Sequence, residues 1–404
     1  MKRIAIISPS DLPIPAVKGG AVETGIEQII KQNEYNKKVM IDIYSYYDRD
    51  AENKSYEYKN TKFYYYTPKK IDYIFVFLAK LSNKVFKKIN IKIKISVRLN
   101  YIRFLKRNIK KTKYDAILIK NNVDIVIPLA SITDSKIFLQ LHNDNLNINT
   151  PYAKRIYSKC HKIIVNSSYI KRCVLSIPSI NDNDVLINKN CLDNESFKVA
   201  TKREKINIAS KYKINDRKIN VLFSGRLVPQ KGIKELMEAI NLIKDKIDLN
   251  LLIAGSKWFG KTSKDRFFIE LEKLKKLIGD RVIFLGYVPH NDIRIINSIA
   301  DLVVIPSIWE EPAGRVALEA QAVGTPLIIT NSGGMPEYVN NKKSAIIIDK
   351  NDKIVDNLAN TILKLLKDKE LRINMSIEGK KYAASYTEEK YYFEILDELE
   401  IFED

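Results

Sequence analysis

Cysteine, histidine and long apolar runs are all scarce in this 404-residue chain, and each scarcity closes off a class of protein. The three cysteines, Cys160, Cys173 and Cys191, are odd in number and form no Cys-x-x-Cys pair. They fit a reducing cytoplasm better than a disulfide framework. Three scattered histidines make no metal site. The longest uninterrupted apolar run, Tyr73–Ala79, falls far short of the ~20 residues that span a bilayer. Lys2–Ile7 superficially suggests a signal peptide, but its apolar part stops at Ser8-Pro9. It is predicted to be the first strand of a sheet, in a protein that is not secreted. With 45% apolar residues the chain is globular, and it is long enough for two domains with full cores.

Acidic residues are also too few to balance the basic ones, leaving a net charge of +20. The imbalance is concentrated: between Lys69 and Lys113 fifteen Lys or Arg accompany a single acid, Asp72. Apolar residues recur there at helical spacing (Ile71, Ile74, Leu78, Leu81, Val85, Ile89). An alternating run follows over Ile91–Leu99, and the helical pattern resumes at Ile102, Leu105 and Ile109. Basic residues set against an apolar stripe are what an interfacial element presents to anionic lipid. The same pattern also describes a helix pair packed on its own domain with a solvated lysine-rich face. Tyrosine is abundant, yet no recognition helix, zinc finger or RNA-binding sheet motif accompanies it, which argues against nucleic acid as a partner.

Strands and helices alternate along the whole chain. Strands are predicted at Arg3–Ser8, Val39–Tyr46, Asp115–Lys120, Lys136–Leu141, Lys162–Asn166 and Asp184–Ile187. A polar stretch, Asn188–Ile219, marks a linker. A second series follows at Ile219–Ser224, Leu249–Ala254, Arg281–Leu285, Leu302–Ile305, Pro326–Thr330 and Ala345–Ile348. Alternation at this spacing implies an α/β protein with parallel sheets covered on both faces. The expected domains are 1–200, 201–385 and a C-terminal helix, 386–404.

The most informative stretch is Trp309–Pro336. Glu311 and Glu319 bracket a glycine-containing turn and a helix predicted over Ala313–Val323, which stops at Gly324. A helix start offers free N–H groups and a positive dipole end, so a phosphate suits Gly314 and Arg315. Glu311 before the helix and Glu319 about two turns into it are placed to accept hydroxyl hydrogen bonds. Anion donors flanked by two hydroxyl acceptors suit a nucleotide sugar. Arg226 and Lys231 follow the strand Ile219–Ser224, whose carboxyl end is where open α/β sheets bind ligands. Arg suits bidentate phosphate contact and Lys a point charge. Gly19 and Gly20 lie before a helix, where missing side chains let backbone N–H groups approach a phosphate.

Glu311-Pro-Ala-Gly-Arg-Val-Ala-Leu-Glu319 resembles the Glu-x7-Glu signature of family 4 retaining glycosyltransferases, which have the GT-B fold. Gly225-Arg-Leu-Val-Pro-Gln-Lys-Gly232 resembles that family's phosphate-binding segment, and Lys18-Gly-Gly-Ala21 its glycine-rich first loop. The similarity is strongest over about 219–340. Leu12–Gly20 together with Gly255–Gly260 is similar to the spore-coat and surface-polysaccharide branch.

The resemblance implies two Rossmann-like domains facing a central cleft, with the last helix (about Thr387–Ile401) returning to the first domain. It implies that Arg226 and Lys231 neutralise the departing diphosphate. Glu319 would hold the ribose, and Glu311 with the N–H groups of Ala313, Gly314 and Arg315 the transferring sugar. His142 would lie beside the anomeric carbon as a hydrogen-bonding group. Tyr287 and Val288 would contact the base through the backbone, leaving base identity open. Glu23, Asn143 and Asp144 would be acceptor-side residues. Ala313 departs from the family, whose members often have an aromatic after the Glu-Pro pair, and this alters how the sugar ring packs.

The activity implied is transfer of a hexose from a nucleotide sugar, UDP-linked, to a glycan or lipid-linked acceptor, with no metal and no cofactor. The enzyme would be cytoplasmic and peripheral on the inner face of the cell membrane, held there by 69–113. Three alternatives stay open. One is a nucleotide-sugar epimerase on the same fold, and another is a membrane or nucleic-acid binding protein without enzymatic activity. The third is a P-loop ATPase, because Gly255-Ser-Lys-Trp-Phe-Gly-Lys-Thr262 matches the Walker A pattern. Against the last, Trp258 and Phe259 are bulky where the loop must wrap phosphate, and no acid ends a neighbouring strand.

Overall fold

Apolar runs rich in β-branched residues, such as Ala116–Lys120 and Leu249–Ala254, form strands buried on both faces, and among the described residues every strand pairs in parallel. The computed structural model describes residues 1–9, 12–68, 98–193, 196–215, 217–255, 266–341 and 343–402. The chain divides into two units, 1–189 with 388–404, and 190–387.

The first unit is a seven-stranded sheet in the order β3-β2-β1-β4-β5-β6-β7. Its strands are β1 (Arg3–Ile7), β2 (Met40–Tyr46), β3 (Thr61–Tyr66), β4 (Ala116–Lys120), β5 (Lys136–Leu141), β6 (Lys162–Val165) and β7 (Val185–Ile187). The helices are α1 (Ala21–Asn36), α2 (Arg49–Ser55), α3 (Arg98–Ile109), α4 (Val126–Ala130), α5 (Ala153–Tyr157) and α6 (Ser168–Leu175), plus a C-terminal helix introduced below. Alternate strand residues face opposite ways. Ala5, Ile7, Ile117, Ile119, Leu139 and Val165 pack under α3 to α6 through Tyr101, Leu105, Val126, Ile156, Ile170 and Val174. Of the basic region, 98–113 thus spends its apolar stripe (Tyr101, Leu105, Ile109) on its own sheet, with Arg103 and Arg107 exposed. Arg98 and Leu99 already belong to α3, so the alternating pattern does not run to Leu99 as a strand. Residues 69–97 lie outside the described residues. Among the described residues, no helix is long and apolar enough to cross a membrane.

The second unit has the order β10-β9-β8-β11-β12-β13. These are β8 (Ile219–Ser224), β9 (Leu249–Ala254), β10 (Val282–Gly286), β11 (Leu302–Ile305), β12 (Leu327–Thr330) and β13 (Ala345–Ile348). One face is covered by α8 (Ile233–Ile243), α9 (Arg266–Ile278), α12 (Ile354–Lys367) and α13 (Lys369–Ala383). The other is covered by α7 (Lys202–Tyr212), α10 (His290–Ile299) and α11 (Arg315–Ala322).

Three features depart from the sequence-based expectation. Asn188–Ile219 is not simply a linker, because it contains α7, opened by a capping box in which Thr201 accepts from the Glu204 N–H and Glu204 accepts from the Thr201 N–H. The unit division falls after Lys189 and not after 200, since Leu192, Phe197 and Ala200 already pack in the second core. Strand β3 and helix α2 were not anticipated. Thr201→Ala is expected to lower Tm by roughly 3 °C, measured by circular dichroism, with an unchanged spectrum.

The last helix, α14 (Glu388–Glu398), belongs to the first unit. It packs beside α1, where the Tyr392 hydroxyl donates to Asn33 Oδ1 at 2.7 Å. The Tyr391 hydroxyl accepts from Lys120 Nζ (3.2 Å) and Gln140 Nε2 (3.3 Å) at the ends of β4 and β5.

Candidate functional site

After β8 the chain passes through Gly225 and Arg226 into a tight turn, Pro229–Lys231, before α8. Gly232, at φ +68°, joins turn to helix, and a Cβ there would collide with the Pro306 carbonyl. This close approach sets Lys231 against the segment following β11. The Ile308 N–H donates to the Gln230 carbonyl at 3.0 Å. Lys231 Nζ lies 2.6 Å from Glu311 Oε1 and 5.8 Å from the Trp309 ring centroid. The fully buried Ser307 hydroxyl donates to the same Oε1 at 2.5 Å. Among the described residues, the other oxygen of Glu311, Oε2, accepts from none, which leaves it open to a ligand hydroxyl.

The backbone of Glu311 is clamped as firmly as its side chain. Its carbonyl accepts from the Gly334 N–H at 2.6 Å. Gly333, at φ +54°, has no Cβ, and one would strike the Glu311 backbone. The preceding Glu310 is held elsewhere by Lys350 Nζ and the Gly333 N–H, each at 2.5 Å. Lys350, opposed by partial burial and assisted by that N–H, keeps the Glu310 carboxyl below its usual range. Two adjacent carboxylates are thereby separated, one locked outward and one presented with a free oxygen.

Four residues after Glu311, α11 starts at Arg315 with Gly314 at its N-cap and no acidic side chain in its first turn. Its first N–H groups have no partners within the helix, so its positive end is available to an anion. Ala313 lies in the turn before α11 and not within it, which shortens the predicted helix at its start. Glu319 is therefore a little over one turn into the helix. Arg315 Nε lies 3.1 Å from Glu319 Oε1, and Glu319 is only 7% exposed, as is Glu311. Arg226 is exposed, as is Tyr287 after β10, and Val288 is half-buried.

In the first unit, Gly19 and Gly20 both have positive φ and lead from β1 into α1, whose first turn buries Glu23. His142 follows β5, and its N–H donates to Asn121 Oδ1 at 3.1 Å. Asn143 Oδ1 accepts from the Asn145 N–H at 3.2 Å, and Asp144 is exposed. These residues leave the carboxyl ends of β1 and β5, two strands separated by β4 alone. The structure therefore brings together Lys231 with Glu311, and Arg315 with Glu319. It also adds Ser307, Trp309 and Ser332, the last with a hydroxyl that accepts from the Glu311 N–H at 3.4 Å and donates to the Trp309 carbonyl, and none of the three carries a sequence signal of its own. Lys261 and Thr262 of the Walker-like match, with Trp258 and Phe259, lie outside the described residues.

Residues 204–382 match the family described as Glycosyl transferases group 1. The chain is 27% identical over 389 residues, 94% of its length and 87% of the relative's, to YtcC of Bacillus subtilis (strain 168), named as a glycosyltransferase. It is 30% identical over 190 residues to a GDP-mannose-dependent alpha-(1-6)-phosphatidylinositol monomannoside mannosyltransferase of Mycobacterium tuberculosis (strain ATCC 25618 / H37Rv), spanning 44% of this chain and 46% of that one. Among solved structures it is similar to a glycosyltransferase from Rickettsia africae ESF-5 (TM-score 0.75, 19% identity, 100% and 99% covered). It is also similar to Anabaena Alr3699/HepE in complex with UDP-glucose (TM-score 0.73, 18% identity, 99% and 100% covered). Two parallel α/β units and these likenesses give the chain the GT-B fold, and residues 204–382 of its second unit are similar to the glycosyl transferases group 1 domain.

Proposed function

We propose that the chain is a retaining glycosyltransferase that moves a hexose from a UDP-sugar to an acceptor hydroxyl on a lipid-linked or surface-polysaccharide intermediate, presented at the inner face of the cell membrane. One observation carries the reading: a lysine–carboxylate pair, Lys231 with Glu311, stands beside an uncapped helix start with one carboxylate oxygen open. Such a site offers cationic and N–H donors to a diphosphate and acceptors to sugar hydroxyls within a few residues.

In this scheme Lys231, Arg226 and the start of α11 stabilise the charge that grows on the diphosphate as the bond from the anomeric carbon breaks. Glu311 Oε2 accepts from a hydroxyl of the transferring sugar, and Glu319 from the ribose. No carboxylate pair suited to double displacement is assigned. The acceptor hydroxyl instead attacks from the face the diphosphate leaves, and a departing phosphate oxygen takes its proton. The new bond then replaces the old with configuration retained, and neither metal nor cofactor is required. In the first unit, Glu23, Asn143 and Asp144 are read as acceptor-side groups, and Gly19, Gly20 and His142 follow the carboxyl ends of strands in the same sheet. UDP is preferred as donor nucleotide because it fits the resemblance and because the similar Anabaena protein binds UDP-glucose. GDP is the competing choice, after the mannosyltransferase relative.

Thermal melting with excess UDP, GDP, ADP, and ATP with Mg²⁺ tests this reading. Ligand at a hundred times its Kd adds about 2.7 kcal/mol of stability. A rise with UDP alone that Glu319→Ala abolishes is the expected result. A rise with GDP alone reassigns the donor, and a rise only with ATP and Mg²⁺ refutes the reading.

A further inference from the structure

The charge of the first unit is divided between the two faces of its sheet. Helices α3 to α6, which cover one face, carry eight Lys or Arg and no Asp or Glu. Helices α1 and α14 carry eight Asp or Glu and two Lys. The basic layer also bears apolar groups in contact with solvent. Ile148 is 59% exposed and Tyr152 75% exposed, at the end of the loop that leads from β5 into α5. Tyr152 sits at φ +60°, a conformation that bulky residues rarely adopt, so the surrounding loop holds it there. That loop is built with its own bonds: the Ile148 N–H donates to Ser176 Oγ (3.0 Å) and the Asn147 N–H to Thr150 Oγ1 (2.9 Å). Ile148 and Tyr152, with Ile177 and Pro178, line an open pocket of ≈ 460 Å³ whose rim includes Lys154 and Arg155. Both bases are exposed, and among the described residues neither enters an ion pair.

An exposed tyrosine and isoleucine flanked by two exposed bases, on a layer whose helices carry no acid and whose loop acids include Asp144 and Asp182, match the surface of an anionic bilayer. Aromatic and apolar tips enter the headgroup region while the bases meet phosphates. Lipid contact through the stripe of α3 is excluded, because that stripe is spent on the sheet. We infer that the α3–α6 face of the first unit seats on an anionic phospholipid bilayer, with Ile148 and Tyr152 as apolar anchors and Lys154 and Arg155 as their charged neighbours. The inference deepens the reading of a lipid-linked acceptor and rests on it, since it states how the chain meets that acceptor's membrane.

Flotation of the full chain with vesicles of phosphatidylcholine, with and without phosphatidylglycerol, provides the test. The wild-type chain is expected to float only with phosphatidylglycerol. Lys154→Ser/Arg155→Ser is expected to weaken binding about 25-fold, roughly fivefold per base. Ile148→Ser/Tyr152→Ser is expected to weaken it on the order of tenfold. Both variants should keep the wild-type Tm and its rise with UDP. A lost UDP effect with vesicle binding intact would count against the transferase reading and leave the surface standing. The inference is overturned if wild type fails to float, floats equally without phosphatidylglycerol, or is matched by both variants. Binding to single-stranded RNA, without vesicle binding and lost in the same variants, would likewise replace it.

Discussion

Lys231→Met is expected to lower kcat/KM for sugar transfer by on the order of 10³, and to destabilise the second unit at the same time. The two effects have different origins. In the proposed transition state, the ammonium that lies 2.6 Å from Glu311 faces the growing charge of the diphosphate. Its charge matters most when the leaving group carries most of its own. In the free protein, the same ammonium neutralises a carboxylate that is only 7% exposed. Removing it leaves Glu311 with the Ser307 hydroxyl as its one remaining partner on Oε1. Breaking a fully buried pair costs about 3–5 kcal/mol. Lys231 retains 22% of its side-chain exposure, so the cost here should be nearer 2 kcal/mol. A double variant, Lys231→Met/Glu311→Leu, separates the contributions by removing the orphaned charge. It should recover most of the lost stability in urea unfolding and none of the activity. Full activity in Lys231→Met would remove this residue from the chemistry, whatever the stability showed.

What the sequence made legible was whatever depends on local pattern. Apolar runs of the length of Lys136–Leu141 and Ile219–Ser224 announce buried parallel strands, and those two agree to the residue. Glu311, Gly314 and Glu319 could be placed around a helix start because turn, N-cap and period are all short-range properties. What stayed hidden depends on contacts between distant segments. Nothing near Ser307 says that its hydroxyl turns to Glu311, nor does anything near Gly333 say that the Glu311 backbone needs the space of its missing Cβ. Strand β3 is a run of aromatics at the sheet edge, ordered partly by Tyr64 stacking on Tyr44 of the neighbouring strand at 4.9 Å. Helix α7 had a local signal, the Thr201 and Glu204 spacing, outweighed by the polar composition around it. The stripe of α3 was visible as a stripe, but whether lipid or its own sheet covers it is a question of packing that periodicity cannot answer.

Glu398→Gln is expected to stabilise the first unit at pH 8.5 and to leave it nearly unchanged at pH 5. Burial pushes the Glu398 carboxyl up from 4.5 to about 8, with Glu394 adding to the rise and Lys120 opposing it. Among the described residues, its buried Oε2 has no hydrogen-bond partner. The direction of the stability effect follows from linkage. Between about pH 4.5 and 8 the unfolded chain has released this proton while the folded chain keeps it. Folding then takes up a proton, so stability from this group falls as pH rises through that window and is constant above it. One pKa unit is worth about 1.4 kcal/mol. Local rearrangement and entry of water near the chain end should reduce the realised cost to roughly 2–3 kcal/mol at pH 8.5. Gln has nearly the same shape and stays neutral, so it avoids that cost without creating a cavity. The gain should appear as a Tm increase of roughly 5 °C at pH 8.5, tapering to none at pH 5. An equal gain at both pH values would show that packing, and not a retained proton, separates the two side chains. The consequence reaches beyond stability, because α14 docks on β4 and β5 through Tyr391, Lys120 and Gln140. Deprotonation of Glu398 would leave a buried carboxylate beside Glu394, which the attraction of Lys120 offsets only in part. The last helix should therefore be the first part of this unit to loosen in alkali, and amide exchange over 388–398 should rise above pH 8 before exchange in α1 does.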